Sequence, residues 1–304
     1  MQDRFNAFCS ALSGIKLQQN VPMAQYTSFR TGGPARVLAE PDSAKALCEA
    51  ISLAKKFELP FVVIGNGSNL LVSDNGIEAV VFRIADSMAG ICFDGLRVYL
   101  QSGVLLSTVA KRSVELGYAG LEWAAGIPGT VGGAVAMNAG AYGGEMKDVL
   151  THVIWMDPQT GAITDSSVSK DDFSYRTSPF HAPERIVVAA ELLLCRDEDG
   201  SAKEKMAEYT SKRREKQPLA WPSAGSTFKR PEGAFAGALI EQAGLKGYRI
   251  GGAEVSKLHA GFIINTGSAT SADVYTLMQH VAKVVKDKSG YTLQPEVCFL
   301  GDFT

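Results

Sequence analysis

The sequence predicts an α+β protein made of two or three packed units in series. Three observations carry that expectation. The chain has 304 residues, too many for one ordinary core. Short apolar patterns of strand and helix type alternate along it. A polar, acidic stretch at residues 197–200 then separates a charged helical segment from everything before it.

The elements follow in order. Phe5, Phe8, Leu12 and Ile15 repeat at helical spacing, and Asp3 stands where a signal peptide would be basic, so the expectation is a cytoplasmic protein. Asp42 is placed to cap a helix whose apolar stripe holds Ala46, Leu47, Ile51 and Ala54, with Pro60 closing it. Phe61–Ile64 is a short strand, followed by a glycine-rich turn, Leu70–Val72, and another strand at 79–84 ending near Asp86. Next come the strand Arg97–Gln101 and a helix over 107–115. Strands at 149–156 and 162–165 flank the hairpin signal Asp157-Pro158-Gln159-Thr160-Gly161, and 185–194 is a buried strand. A charged helix, Ala202–Lys216, stops at Pro218, and 261–265 reads as a strand. The final helix presents Val274, Leu277, Met278, Val281 and Val285 on one face, with Ser271 as cap and Gly290 as terminator.

Composition narrows the function classes. Hydrophobic residues make up 46% and charged residues 20%, the balance of a packed globular chain. A net charge of −2 offers no global field for nucleic acid or an anionic membrane, so an anionic ligand needs local charges or backbone amides. Cys9, Cys48, Cys92, Cys195 and Cys298 are scattered without a CxxC pair, and His152, His181, His259 and His280 are equally dispersed. That argues for a reducing compartment and proposes no metal site. The charge-free stretch from Trp123 to Gly144 holds seven glycines and Pro128, which suits a ligand-hugging loop rather than a membrane helix.

Two glycine loops carry the chemistry. Gly65-Asn66-Gly67-Ser68-Asn69-Leu70-Leu71 lies between two strands, where consecutive N–H groups can form an anion nest for a pyrophosphate, with Ser68 and Asn69 as further donors. It is not a dinucleotide fingerprint, because Leu70 replaces the third glycine and no helix follows. A tight turn without a ligand is the competing reading. Gly126-Ile127-Pro128-Gly129-Thr130-Val131-Gly132-Gly133-Ala134 leaves a bare backbone that can lie against a flat ring system; close helix–strand packing is the alternative. Arg30-Thr31-Gly32-Gly33-Pro34-Ala35 is a third such element.

Taken in order, these elements resemble the UDP-N-acetylenolpyruvoylglucosamine reductases of bacterial cell-wall synthesis. The matching pieces begin with Thr27-Ser28-Phe29-Arg30-Thr31-Gly32-Gly33 and the two glycine loops. Phe173-Ser174-Tyr175-Arg176-Thr177-Ser178, Ala224-Gly225-Ser226-Thr227-Phe228-Lys229-Arg230-Pro231 and Gln294-Pro295-Glu296-Val297 complete them. The likeness runs from about Val21 to Leu300. It implies an α+β architecture: a two-subdomain FAD-binding fold of the vanillyl-alcohol-oxidase type plus a third, α+β substrate-binding domain. The division expected is 1–85 for the first FAD-binding subdomain, joined again by 297–304, then 86–200 for the second and 201–296 for substrate. The chain looks like the shorter branch of the family, without the aromatic insertion that covers substrate in the longer one.

The resemblance further implies non-covalent FAD, NADPH as reductant and a UDP-sugar enolpyruvate as substrate, with no nucleic acid, membrane or obligate protein partner. It assigns Arg176, Ser226 and Glu296 to catalysis. Arg30, Gly65, Asn66, Gly67, Ser68, Asn69, Gly126, Ile127, Pro128, Gly129, Gly132, Gly133 and Ala134 fall to the cofactor, and Tyr175, Lys216 and Arg230 to the substrate. Ser226 would donate a proton, the Arg176 fork would hold a carboxylate, and Glu296 would be a protonated or hydrogen-bonded carboxyl beside it. Two other classes compete. A flavin oxidase of the same architecture often tethers its FAD through histidine or cysteine, yet no histidine lies near the glycine loops. A non-catalytic flavin or nucleotide-sugar sensor has no use for a proton donor.

Overall fold

The computed structural model describes residues 2–303. The chain forms two compact units. The first comprises residues up to Gln19, Val37–Asn66 and Ala79–Lys212; the second comprises Asn20–Arg36, Gly67–Glu78 and everything from Arg213 on.

The first unit is organised by a five-stranded antiparallel sheet. Its strand order is Ile163–Ser167, Leu150–Met156, Ile186–Leu193, Arg97–Gln101, Ile91–Asp94. Arg97–Gln101 alternates strictly between exposed and buried, so Val98 and Leu100 point to one face. There they pack with Val109 and Ala110 of the helix Leu106–Glu115 and with Val131 and Val135 of the helix Val131–Ala136. Met156, Ile186 and Val188 instead join a second core with Val80, Phe82, Leu47, Ile51 and the amino-terminal Phe5 and Phe8. One sheet therefore supplies both cores of this unit.

The helix Ala44–Lys56 starts at Ser43, whose hydroxyl accepts the Ala46 amide; Asp42 accepts from the Ser43 hydroxyl instead of capping. Serine at the N-cap reaches the third amide as well as aspartate does, and the chain uses the nearer residue.

In the second unit, the antiparallel sheet Arg249–Ile250, Ala253–Val255, Ile263–Asn265 packs against the helices Ala236–Gln242 and Ser271–Ser289. The expected face of the last helix (Val274, Leu277, Met278, Val281, Val285) is buried, and Gly290 ends it in the left-handed conformation. Its N-cap is Thr270, paired in a capping box with Asp273, while Ser271 is the first helical residue and its amide donates to Asp74. Cys298–Leu300 pairs in parallel with Leu70–Val72. Among the described residues, no helix is long and apolar enough to cross a membrane, and no group of three or more His, Cys, Asp or Glu could hold a metal.

Candidate active site

The first glycine loop enters from the strand Phe61–Ile64. A Cβ on Gly65 would stand 2.3 Å from the Thr130 hydroxyl, and the Asn66 side chain donates to the Pro128 carbonyl at 2.8 Å. The two glycine loops predicted to share a ligand thus touch each other within the first unit. Asn66 reaches the other loop with its side chain rather than facing outward.

The second half of the loop belongs to the second unit. Gly67 has φ +64°, and a Cβ there would meet the Tyr26 carbonyl at 1.9 Å, so only glycine fits. The Gly67 and Ser68 carbonyls accept from the Ser28 amide (3.1 Å) and the Ser28 hydroxyl (3.2 Å). Among the described residues, the N–H groups of Asn66, Gly67, Ser68 and Asn69 find no protein acceptor. Four consecutive donors left open in a glycine turn are the donor set of a diphosphate nest. That chemistry fits FAD. Arg30, exposed and at φ +55°, closes the neighbouring turn through its amide to Thr27.

The second loop is fastened to the sheet through Leu106 N–H to Gly129 (3.0 Å), Val131 N–H to Val104 (2.7 Å) and Gly132 N–H to Ser102 (2.8 Å). Thr130 caps the short helix that follows. Gly132 answers to packing, because a Cβ would lie 2.8 Å from Ser102 Cβ; Gly133 does not, since its Cβ would meet only the Thr130 hydroxyl at 3.7 Å. Ala134 is buried in the core, Ile127 packs against it, and Pro128 is exposed.

Arg176 sits with Tyr175 at the tip of a tight turn closed by two hydrogen bonds between Ser174 and Thr177, each 3.1 Å. It holds φ +54°, its Nη2 donates to the Gly140 carbonyl at 2.9 Å, and its guanidinium lies 5.0 Å from the Tyr175 ring centre. Asn138, fully buried, ties this turn down by donating to the Ser174 carbonyl (3.0 Å) and to Glu145 (2.8 Å). Asn138 carries no role in the sequence analysis. An asparagine at the end of a glycine-rich run was the available signal, since asparagine tolerates the positive φ found there.

Ser226 and Glu296 come together in the second unit. Glu296 N–H donates to the Thr227 carbonyl (2.9 Å) and Lys229 N–H to Gln294 (2.8 Å), flanking an antiparallel bridge between Phe228 and Pro295. Thr227 is buried, with its amide on the Gly261 carbonyl and its hydroxyl accepting from Ile263. Ser226 is exposed, just after Gly225 at φ +77°, and Glu296 is half-buried on the neighbouring segment. Burial pushes the Cys298 thiol's pKa upward, which favours its protonated form.

Lys216 is the exposed last residue of its helix, and Arg230 lies exposed with its guanidinium 4.7 Å from the Phe235 ring centre. A groove of about 480 Å³, lined in part by Trp221, Leu258, Arg214 and Lys257, contains none of the predicted catalytic residues.

Comparison with known proteins matches both parts of this description. Residues 35–167 match the FAD binding domain, and residues 217–300 match the UDP-N-acetylenolpyruvoylglucosamine reductase C-terminal domain. The UDP-N-acetylenolpyruvoylglucosamine reductase of Caldanaerobacter subterraneus subsp. tengcongensis is 48% identical over 94% of each chain. That of Caldicellulosiruptor bescii is 45% identical over 96% of this chain and 93% of its own. The crystal structure of the Thermus caldophilus reductase superposes with a TM-score of 0.80 at 34% identity, covering 94% of this chain and all of the other. The FAD-binding fold of the vanillyl-alcohol-oxidase type is thereby shown. On this evidence the chain belongs to the UDP-N-acetylenolpyruvoylglucosamine reductase family.

Proposed function

We propose that this chain reduces the enolpyruvyl group of UDP-N-acetylglucosamine enolpyruvate to the lactyl ether of UDP-N-acetylmuramate, with Ser226 as proton donor. The reaction belongs to peptidoglycan precursor synthesis, with FAD as cofactor and NADPH as reductant. FAD, when bound, supplies the hydride. The open amides of residues 66–69 would hold its diphosphate, and the bare backbone around Gly133 would take its flat ring system.

Hydride arrives at the terminal alkene carbon, so negative charge builds on the carbon beside the carboxylate. The Arg176 fork binds that carboxylate and spreads the charge, and the Glu296 carboxyl polarises the same group. The Ser226 O–H bond then breaks as a C–H bond forms at the charged carbon, and solvent returns a proton to the serine oxygen. Serine is a weak acid, yet a carbanionic enolate is a far stronger base, so placement governs the step more than acidity does. Tyr175, Lys216 and Arg230 contact the rest of the substrate, Lys216 at the diphosphate. The scattered, free cysteines suit a cytoplasmic setting.

The observation that carries this reading is the ladder that fixes Ser226 and Glu296 on neighbouring segments. The test is to mix purified protein with NADPH and UDP-N-acetylglucosamine enolpyruvate. Stoichiometric NADPH consumption that requires the enolpyruvate supports the proposal; consumption of oxygen instead, with an alcohol as substrate, supports an oxidase.

A further inference from the structure

Asn69 was expected among the cofactor contacts. Its side chain has a different task. Nδ2 donates to the Glu296 carbonyl at 2.9 Å and lies 3.8 Å from Cys298 Sγ, while the Asn69 carbonyl accepts the Cys298 amide at 2.9 Å. A carbonyl can only accept, so the nitrogen end of the amide must face Glu296. One residue thus brackets Val297, gripping the peptide groups before and after it.

The other side of Glu296 is held as firmly, its N–H bound to the carbonyl of Thr227, the residue after Ser226. The Glu296 backbone is therefore clamped by the serine segment on one side and by the glycine loop on the other. The loop's own N–H groups remain open for a ligand.

We infer that Asn69 is a positioning residue for Glu296, fixing the carboxyl against the Ser226 segment, and that its side chain contributes nothing to holding FAD. The inference rests on the catalytic reading of Glu296 given above. Losing Nδ2 leaves the Glu296 carbonyl without that donor and frees the 296–298 segment to shift. A displacement of a fraction of an ångström is enough to misalign a proton-transfer geometry.

The test compares FAD-loaded wild type with Asn69→Leu, which keeps volume without a donor, and Asn69→Ala. Glu296→Gln is run in parallel. Four quantities are measured: FAD affinity, the rate at which NADPH bleaches the flavin band, the rate at which the enolpyruvate restores it, and amide hydrogen exchange over 293–300. The expected result is FAD affinity and bleaching within about twofold of wild type, with restoration slowed about tenfold and its pH profile displaced. Exchange over 293–300 quickens in both Asn69 variants.

Loss of FAD from the Asn69 variants overturns the inference, because the side chain then serves the cofactor. So does an equal fall in both half-reactions, or restoration and exchange at wild-type rates. If Glu296→Gln restores the flavin as fast as wild type, the catalytic reading of Glu296 fails and the Asn69 role falls with it. If Glu296→Gln is slow and Asn69→Leu is not, only the Asn69 role is wrong.

Discussion

Among the described residues six non-glycines hold a positive φ, and three of them, Asn138, Tyr142 and Arg176, are drawn together around Gly140. Each such conformation costs about 1 kcal/mol or more, and it persists only where neighbours enforce it. Here the buried Asn138 amide and the Gly140 carbonyl enforce it, and the result is a guanidinium held in place before any substrate arrives. His259 shows the same pre-setting by burial. Its Nδ1 accepts the Gly261 amide at 3.1 Å, and burial, reinforced by nearby Lys246, lowers its pKa. The folded state therefore keeps the ring neutral while the unfolded chain protonates near the ordinary value of about 6.5. Stability is full above that pH and is lost as pH falls toward the lower, folded-state value. Thermal melts from about pH 7 down to pH 5 should show a falling Tm, with a shallower fall in His259→Asn; parallel curves would remove His259 from the effect. The proposed catalytic residues Arg176, Ser226 and Glu296 were legible as candidates because each sits in a distinctive motif. Their partners were not, because Asn138 and Asn69 act on residues far along the chain.

At the scale of elements, the two glycine loops answer different demands. Gly65 is needed because Thr130 stands where its Cβ would be, whereas Gly133 has room for one. Packing gives no reason for glycine at 133, so a ligand lying against the backbone is the remaining physical reason. Gly133→Ala should keep the wild-type Tm within about 2 °C but bind FAD at least about tenfold more weakly. Gly65→Ala should lose both Tm and FAD. Calorimetry and flavin titration of the two variants check this, and unimpaired FAD binding by Gly133→Ala would contradict the ring-facing role. Helices and strands with strong periodicity, such as Ser271–Ser289 and Arg97–Gln101, were plain in the sequence. The strand Lys16–Pro22 was not, because its burial does not alternate and the apolar signal is missing. Caps shifted by one residue at both Asp42 and Ser271, where an adjacent hydroxyl residue, Ser43 or Thr270, takes the role.

At the scale of the molecule, the chain passes repeatedly between its two units, so neither is a continuous stretch of sequence. Val80, Phe82 and Ile84 share a core with Met156, Ile186 and Val188. The same weaving gives the second unit the Asn69 loop, the Ser226 segment and the Glu296 segment, three pieces separated by more than two hundred residues of chain between first and last. The central claim is the one proposed above, that Ser226, carried by this unit, delivers the proton. Rapid-mixing spectroscopy of FAD-loaded Ser226→Ala tests it most directly. NADPH should bleach the flavin band at the wild-type rate, and recovery on adding the enolpyruvate should slow by a factor on the order of 1,000 or more. Recovery at the wild-type rate would contradict the account.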